Sequence, residues 1–426
     1  MAVAENQPIK NRMNKELADF ATRLRTIISS GGHGFAPFSQ GSDEALPHTR
    51  GDDSFNRSAL ELFALQFRHN LAYRRICQSH GITPGEVRHW SEIPAVPASA
   101  FKELELSCIA PEGRTAVFHS SGTTDQMPSR HFHCAESLAL YEASLWSWFQ
   151  RHMMPESGVP SSESGVLILT PPPEQAPHSS LVHMFETVRS RACQSAESAF
   201  SQTRLQSNAF SGKTNSDGSW TLDFNAMLAA LNSSLDSGLS TLVLGTAFSF
   251  VHLLDFLGER NLRFQLPAGS RVMETGGYKN RSRTMPKTEL HSLITERLGI
   301  PAENIICEYG MSELSSQAYG SVRSGGWRMA GEDSASCHPS PVTCHFSFPP
   351  WARVQIASPE TGTEVADGET GLIRVFDMAN VFSVMAVQTE DLGVRRGDGF
   401  ELIGRAQLSE PRGCSLMMEG SALSVP

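Results

Sequence analysis

The chain has 426 residues, of which 40% are hydrophobic, and it carries a formal net charge of -10. A chain of this size can bury a large core, and its negative charge disfavours binding to the phosphate backbone of nucleic acids. Its apolar runs fall short of the roughly 20 residues that span a bilayer, and its eight cysteines are dispersed rather than spaced as in secreted disulfide scaffolds. We therefore expect a globular cytoplasmic protein with no nucleic-acid partner and no membrane span.

Helical and strand-like patterns follow one another along the chain. Apolar residues recur every three or four positions over Glu16–Ile28 and Ala59–His80, and Gly81 ends the second of these predicted helices. Short strand-like runs then alternate with longer helix-like segments; these runs are 165–170, 240–246, 270–273 and 304–307. Such alternation predicts an α/β sheet covered by helices.

Composition divides the rest of the chain. Cys193–Trp220 is rich in Ser, Asn, Gln, Thr and Gly and is predicted to be a flexible surface insertion, and Ser324–Pro350 a long loop. Short strands separated by turns follow from Trp351. We predict an α/β core with a helical N-terminal region over 1–345 and a small β-rich subdomain with a C-terminal tail over 346–426.

Three polar segments suggest nucleotide chemistry. Ser120 to Thr124 places four hydroxyls around Gly122, a composition that suits phosphate oxygens but is more often an ordinary turn. Tyr309 to Glu313 follows a strand end, where open α/β sheets bind ligands, and the Glu313 carboxylate suits Mg²⁺. Asp391 and Arg405 offer a carboxylate and a guanidinium to a ribose. Each segment alone also fits a solvated turn.

Taken in this order, the segments resemble those of the ANL superfamily of adenylate-forming enzymes over residues 115–415. The resemblance implies an ANL-type adenylation domain that uses ATP and Mg²⁺, with Glu313 as the metal ligand. It also implies attack of a substrate carboxylate on the α-phosphate of ATP, giving an acyl-adenylate. The nucleotide-binding residues that it implies are Ser120, Ser121, Gly122, Thr123, Thr124, Arg130, Gly276, Gly277, Tyr309, Gly310, Ser312, Asp391 and Arg405.

The sequence departs from that superfamily in its cations. Only 21 residues follow Arg405, and Lys287 is the last lysine of the chain. We therefore expect most or all of the usual C-terminal domain, with its catalytic lysine, to be missing. Lys279 is the preferred replacement, and the alternative for it is a solvated surface lysine. Arg130 stands near another usual lysine position.

The C-terminal tail narrows the resemblance. With Pro349-Pro350-Trp351 and the terminal Arg412-Gly413-Cys414, the chain resembles the acyl-protein synthetase family of the bacterial bioluminescence fatty-acid reductase complex. That resemblance implies transfer of the acyl group to Cys414 and delivery to a partner acyl reductase. A nearby arginine favours the thiolate, although apolar neighbours also fit a small buried side chain.

Other soft ligands are weaker candidates. His178 and His183 follow a predicted strand, but a lone histidine is more often structural, so neither is placed in the catalytic set. Cys337-His338 and Cys344-His345 offer four ligands within one predicted loop. Their spacing matches no recognised zinc pairing, and adjacent Cys–His pairs chelate awkwardly, so zinc is disfavoured there.

The family resemblance, together with these residues, implies an acid–thiol ligase with Cys414, Lys279 and Glu313 as catalytic residues, and it implies that the carboxylic acid substrate is a fatty acid. One alternative is an acid:CoA or acid:amine ligase that uses a free acceptor. Another is a non-catalytic protein that binds an acyl-adenylate or AMP. Dependence on an added acceptor distinguishes the first alternative, and the absence of acid-dependent pyrophosphate exchange distinguishes the second.

Overall fold

The computed structural model describes residues 7–32, 34–35, 49–120, 127–154, 165–194, 208–215, 220–276, 285–322 and 344–406. The helices in these ranges are α1 (Gln7–Ser29), α2 (Thr49–His69), α3 (Leu71–Ser79), α4 (Ala100–Glu103), α5 (Ala135–Met153), α6 (Ser180–Gln194), α7 (Phe224–Ser237), α8 (Ala247–Glu259) and α9 (Lys287–Leu298). The first strands are β1 (Val96–Pro97), β2 (Ala116–His119), β3 (Arg130–His133), β4 (Gly165–Ile168), β5 (Asn208–Phe210), β6 (Gly212–Thr214), β7 (Trp220–Leu222) and β8 (Thr241–Thr246). The remaining strands are β9 (Arg271–Thr275), β10 (Ile305–Tyr309), β11 (Ala318–Val322), β12 (Cys344–Ser347), β13 (Ala352–Ala357), β14 (Thr370–Asp377), β15 (Ala386–Arg396) and β16 (Gly399–Arg405).

A 12-stranded mixed sheet organises the fold, in the order β13-β14-β15-β16-β12-β11-β10-β9-β8-β4-β5, with β1 beside β15. Strands β5, β4, β8, β9 and β10 run parallel to one another. From β10 to β13 every neighbouring pair on this path is antiparallel. The α/β prediction is confirmed, and all four predicted strand-like runs are strands, at β4, β8, β9 and β10.

Helices cover both faces of the parallel strands. Along β8, Leu242 and Leu244 join one buried apolar cluster and Val243 joins another. Alternate residues of a strand point to opposite faces, so both faces of β8 are buried, as its apolar sequence requires. No helix among the described residues is long and apolar enough to cross a membrane.

The N-terminal helices begin earlier than predicted, at Gln7 and Thr49, and the second predicted helix is interrupted. The segment predicted as a single helix over 59–80 is two helices, because Asn70 interrupts it. Asn70 has an extended backbone, and its side chain accepts a hydrogen bond from the Tyr73 backbone N–H at 3.0 Å. Asparagine is a preferred residue for capping the start of a helix, so it begins α3 rather than continuing α2.

The predicted flexible insertion contains regular structure. Residues 195–207 and 216–219 lie outside the described part of the chain, but β5, β6 and β7 come from this segment. Strand β5 extends the main sheet by pairing with β4, and β6 pairs with β7. The prediction was therefore wrong for these strands, since the pairing of β5 with β4, and of β6 with β7, overrides a polar composition that disfavours strands locally.

The C-terminal strands continue the same sheet. Residues 323–343 of the predicted long loop are outside the described ranges, whereas β12, predicted as loop, pairs with β11 and β16. The predicted strands after Trp351 are present as β13 to β16. The division of the chain at 345/346 stays a prediction.

Candidate active site

The predicted phosphate-binding segment begins at a β-hairpin. Strands β2 and β3 are antiparallel, with His119 opposite Arg130. Ser120 follows β2, and its hydroxyl accepts a hydrogen bond from the Ser129 backbone N–H at 3.0 Å, which holds the two ends of the connecting loop together. Ser121, Gly122, Thr123 and Thr124 lie outside the described residues.

Arg130 is a cation at the base of this loop. Its Nε is buried and has no hydrogen-bond partner among the described residues. A buried guanidinium N–H without a partner is costly, and a phosphate oxygen is a suitable acceptor for it.

His131 connects the hairpin to the segment that contains Glu313. Its Nδ1 lies 2.8 Å from the carbonyl oxygen of Ser312 and donates to it. Burial lowers the pKa of His131 to about 4, although this hydrogen bond raises the pKa by a smaller amount. His131 is therefore a neutral histidine at neutral pH, with its proton on Nδ1, and acts as a fixed structural donor.

Glu313 lies in a tight turn between β10 and β11. Its side chain accepts a hydrogen bond from the Ser312 hydroxyl at 3.1 Å, and the residue is only 1% exposed. The side-chain amide of Asn380 donates to the Glu313 carbonyl at 2.8 Å. Gly310 lets the chain pass close to Glu308 at the start of this turn, because a Cβ there would lie 2.4 Å from Oε1 of Glu308 and would displace that side chain.

Two further residues fix this turn, and sequence reasoning missed both. The Asp377 carboxylate accepts hydrogen bonds from the backbone N–H groups of Ser315 and Ser316, each at 2.8 Å. Oδ1 of the Asn380 side chain accepts a hydrogen bond from the Ser315 hydroxyl at 2.6 Å. The sequence feature that could have identified them is a polar pair, Asp377 and Asn380, in a turn directly after an apolar strand.

The buried carboxyl group of Glu308 lies next to Tyr309 near the end of β10. Burial raises the pKa of Glu308 to about 7, opposed by a hydrogen bond from the Thr275 hydroxyl. Near neutral pH the Glu308 carboxyl is therefore protonated in a large fraction of molecules, so it does not supply a permanent negative charge. Asp391 instead lies beside the Arg405 guanidinium.

Tyr309, Asp391 and Arg405 form a cluster at the end of β10. The Tyr309 hydroxyl donates to Oδ2 of Asp391 at 2.9 Å, and Nε of Arg405 lies 3.6 Å from Oδ1. Asp391 and Arg405 are directly opposite on β15 and β16, which explains their approach. Burial, followed by the neighbouring Asp391 charge, raises the pKa of Tyr309 well above its usual value, so the phenol stays a donor.

Two members of this cluster, Asp391 and Arg405, keep contact with solvent. The side chains of Asp391 and Arg405 are each 23% exposed, so a polar ligand can reach both. Tyr309 ends β10 and is followed directly by the turn with Glu313, so one strand end carries both groups. The structure thus joins Tyr309 with Asp391 and Arg405, and links Ser312 and Glu313 to the strand that carries Arg130.

The remaining predicted residues are placed only in part. Gly276 follows β9 with a φ of 72°, a left-handed conformation that favours glycine. Gly277, Lys279 and Cys414 lie outside the described residues. Strands β9 and β10 are parallel neighbours, so Gly276 and Tyr309 are at the same edge of the sheet.

The two histidines left out of the catalytic set have protein partners. Nδ1 of His178 lies 3.2 Å from the Val117 carbonyl oxygen. Nε2 of His183 lies 3.2 Å from Oε1 of Glu142. Both contacts are compatible with structural roles beside the β2–β3 hairpin.

Comparison with known proteins connects this geometry to a family. The profile of the family described as "Acyl-protein synthetase, LuxE" matches residues 195–423, a little over half of the chain. The matched region includes Gly276, Tyr309 to Glu313, Asp391, Arg405 and Cys414, whereas Ser120 to Thr124 precede it.

Curated relatives carry a related name. The "Long-chain-fatty-acid--luciferin-component ligase" of Vibrio harveyi is 23% identical over 206 residues, which cover 46% of this chain and 49% of the relative. The protein of the same name from Aliivibrio fischeri is 23% identical over 216 residues, 46% of this chain and 50% of the relative. The matched region thus spans about half the length of each relative.

A solved structure shares the fold over a longer range. A 2-hydroxyisobutyryl-CoA ligase, solved in an open conformation with 2-HIB-AMP and CoA, superposes with a TM-score of 0.52 and 12% identity. The superposition covers 86% of this chain and 80% of that structure. The similarity shows the fold, and the predicted adenylation-type α/β architecture is confirmed.

Proposed function

Because this chain belongs to the acyl-protein synthetase family LuxE, we propose that it activates a fatty acid with ATP and transfers the acyl group to a protein cysteine. The observation that carries the proposal is the cluster of Tyr309, Asp391 and Arg405 at the end of β10, next to the turn that carries Glu313. The curated relatives' names specify a long-chain fatty acid as substrate. The similar ligase structure was solved with 2-HIB-AMP and CoA.

The nucleotide ribose is proposed to bind at Asp391 and Arg405. The hydroxyl groups of a ribose donate to a carboxylate and accept from a guanidinium, and both side chains keep exposed surface. Tyr309 holds Asp391 in place from the buried side through its 2.9 Å hydrogen bond. Gly276 and Gly277, at the end of the neighbouring strand, are proposed to pass beside the adenine.

The triphosphate is proposed to extend toward the β2–β3 hairpin. Ser120 to Thr124 would supply hydroxyl and backbone donors, and Arg130 would supply a guanidinium whose Nε has no other partner among the described residues. Glu313, with the Ser312 hydroxyl beside it, is the proposed Mg²⁺ ligand, since Mg²⁺ prefers oxygen ligands. Bound Mg²⁺ would neutralise phosphate charge.

The first chemical step needs positioning more than covalent catalysis. An oxygen of the substrate carboxylate attacks the α-phosphorus, the bond to the β-phosphate bridging oxygen breaks, and pyrophosphate leaves. Arg130 and Lys279 are the proposed cations that stabilise charge on the phosphate oxygens as that bond breaks.

The second step transfers the acyl group to sulfur. The Cys414 thiolate is proposed to attack the acyl carbonyl carbon, so that a thioester forms and AMP leaves. A thioester on the protein then needs a recipient, and an acyl reductase is the partner that we propose. A coenzyme A or amine acceptor is the competing outcome.

Acid-dependent exchange of labelled pyrophosphate into ATP tests the adenylation step. The full chain should exchange label with ATP, Mg²⁺ and a long-chain fatty acid, and not without the acid. Asp391→Asn should raise the KM for ATP by roughly tenfold, corresponding to about 1.4 kcal/mol for a hydrogen bond to a charged group. Nucleotide binding without exchange, across a panel of acids, would identify a non-catalytic binding protein instead.

A radiolabelled fatty acid tests the acceptor. With ATP and Mg²⁺, the full chain should retain a label that hydroxylamine releases, and Cys414→Ser should lose it. Cys108→Ser, which alters a partly buried cysteine elsewhere, is the matched control and should keep it. A label that persists in Cys414→Ser would disprove this acceptor, and product that forms only with added coenzyme A or amine would favour a free acceptor.

A further inference from the structure

A group of buried polar side chains lies on one face of the main sheet, and none of them is used by the proposed reaction. Glu274 on β9 pairs with Cys307 on β10, and Cys307 pairs with Gly320 on β11. Gly320 pairs with Phe346 on β12, two residues from Cys344. Because side chains alternate along a strand, Glu274, Cys307 and Cys344 point to the same face. Gly320 has no side chain to separate the two cysteines.

Helix α9 covers this face. Lys287 and His291 are four residues apart, so they lie on the same side of the helix. Nζ of Lys287 donates to Oε1 of Glu274 at 2.7 Å, and Nε2 of His291 lies 3.6 Å from the same oxygen. The ligand atoms of Glu274, His291 and Cys307 all lie within 4.8 Å of one another. Sγ of Cys344 lies 2.7 Å from Sγ of Cys307.

Two members of this group lack hydrogen bonds that their burial requires. Neither ring nitrogen of His291 makes a hydrogen bond of good geometry within the described residues, and the same holds for Oε2 of Glu274. His291 is 4% exposed and Glu274 is fully buried. Buried polar atoms normally have a partner, so this arrangement calls for a ligand. A disulfide between Cys307 and Cys344 would leave both groups unsatisfied, whereas a cation would satisfy them.

We propose that this group binds one zinc ion in a closed structural site whose ligands are Glu274, His291, Cys307 and Cys344. Structural zinc takes four such ligands in a tetrahedron, with bonds of about 2.0–2.3 Å that place the ligand atoms roughly 3.3–3.8 Å apart. The 3.6 Å between His291 and Glu274 already matches this spacing. To admit the ion, the two sulfurs would move apart by about 1 Å, and the Cys344 side chain, which lies outside the set of ligand atoms within 4.8 Å of one another, would turn toward Glu274 and His291.

The charges balance when zinc is bound. Two thiolates and one carboxylate carry three negative charges, and the divalent ion and the Lys287 ammonium carry three positive charges. Lys287 already contacts Glu274, so it neutralises the excess negative charge without occupying a zinc ligand position. A neutral site is the form that a protein interior tolerates best. Binding would release the thiol protons to solvent.

The proposed ion would fasten separate parts of the fold. Cys344 begins β12 and His291 belongs to α9, whereas Glu274 and Cys307 lie on adjacent parallel strands. The carboxyl ends of those two strands carry Gly276 and Tyr309. Zinc would therefore stabilise the sheet edge on which the nucleotide site is built, whichever reaction that site performs.

Metal analysis of the full chain tests the proposal. The protein is produced without a polyhistidine tag, freed of loose metal by gel filtration, and analysed by inductively coupled plasma mass spectrometry. Wild type should contain about one zinc per chain, and Cys344→Ser less than about one tenth, since a thiolate ligand is lost. Cys77→Ser, which replaces another buried cysteine, is the matched control and should keep its zinc.

Cobalt provides a readout on the wild-type chain that does not depend on how well variants fold. Chain refolded with Co²⁺ should show thiolate-to-cobalt charge-transfer bands and the visible bands of tetrahedral cobalt. Folded wild-type protein that contains no zinc and takes up neither metal on refolding would overturn the proposal. A disulfide between Cys307 and Cys344, found by mass spectrometry of protein prepared under reducing conditions, would overturn it as well.

Discussion

Asp377→Asn is the substitution that best tests how the turn with Glu313 is held. Asp377 is fully buried, and burial raises its pKa while four donors oppose that shift. Oδ2 accepts from the N–H groups of Ser315 and Ser316, each at 2.8 Å, and Oδ1 accepts from the Ser316 hydroxyl at 2.7 Å and the Ala379 N–H at 2.9 Å. The carboxylate is thus the single anchor for two successive backbone groups of the turn.

The magnitude follows from what asparagine can still accept. Its oxygen can replace Oδ2, but its NH₂ group then faces the Ala379 N–H, which loses its acceptor. A buried N–H left without a partner costs about 1–3 kcal/mol, and loss of the charge weakens the remaining bonds by roughly another 1 kcal/mol. We expect the free energy of unfolding to fall by about 2–4 kcal/mol, a large share of the 5–15 kcal/mol of a typical protein.

Urea titration followed by circular dichroism measures this change, and pyrophosphate exchange on the same preparation measures the turn's effect on the proposed activity. Exchange should fall by at least about tenfold, since a displacement that costs 1.4 kcal/mol in the transition state has that effect. Asp236→Asn, at an exposed position of α7, is the matched control. A loss of stability below about 0.5 kcal/mol, the range of surface substitutions, would refute the assigned role of Asp377.

Two other perturbations follow from the structure. Because burial lowers the pKa of His131 to about 4, the unfolded chain binds its proton more tightly, and stability should fall as pH decreases from about 6.5 to about 4. His131 should contribute about 2 kcal/mol to the difference in unfolding free energy between pH 7 and pH 5. His131→Asn should remove that part of the pH dependence of stability, whereas His80→Asn, at an exposed position, should not. In Gly320→Ala, the new Cβ would lie 2.4 Å from the His345 carbonyl oxygen, whereas one at Gly85 meets nothing within 4 Å. The first variant should lose about 2–4 kcal/mol of stability in urea titration and the second should stay within about 0.5 kcal/mol of wild type; equal stabilities would contradict the close approach of β11 and β12.

The order of helix-like and strand-like patterns in the sequence was sufficient to predict the α/β architecture. Strands β4, β8, β9 and β10 are short apolar runs, and burial on both faces of a sheet requires such runs. Helix α1 could also be predicted from a local pattern, because its apolar residues recur with the helical period. The match of residues 195–423 to the acyl-protein synthetase family confirms the family resemblance that the motifs indicated.

The sequence also predicted part of the candidate site. Asp391 and Arg405 were paired as a candidate ribose clamp, and they are opposite each other on β15 and β16. Tyr309 joins them through its hydroxyl. The roles of all three in binding stay predictions, as do those of Lys279 and Cys414, which lie outside the described residues.

Contacts between distant segments were not accessible to sequence reasoning. Asn70 divides a predicted helix by a local cap that its residue type could have suggested. The anchoring of the Glu313 turn by Asp377, 64 positions later, depends on how β14 enters the sheet. The sequence alone does not distinguish a turn carboxylate that is solvated from one that is buried and accepts hydrogen bonds from backbone N–H groups.

The sequence by itself determined the α/β architecture and the order of the candidate nucleotide-binding segments, because each depends on residues close together in the chain. Tertiary structure alone brought Cys344, predicted to lie in a loop with disfavoured zinc ligands, next to Cys307, and brought His291 close to Cys307 and Glu274. Sheet register and the crossing of α9 decide that meeting, and both are set by the packing of the whole core rather than by any local pattern.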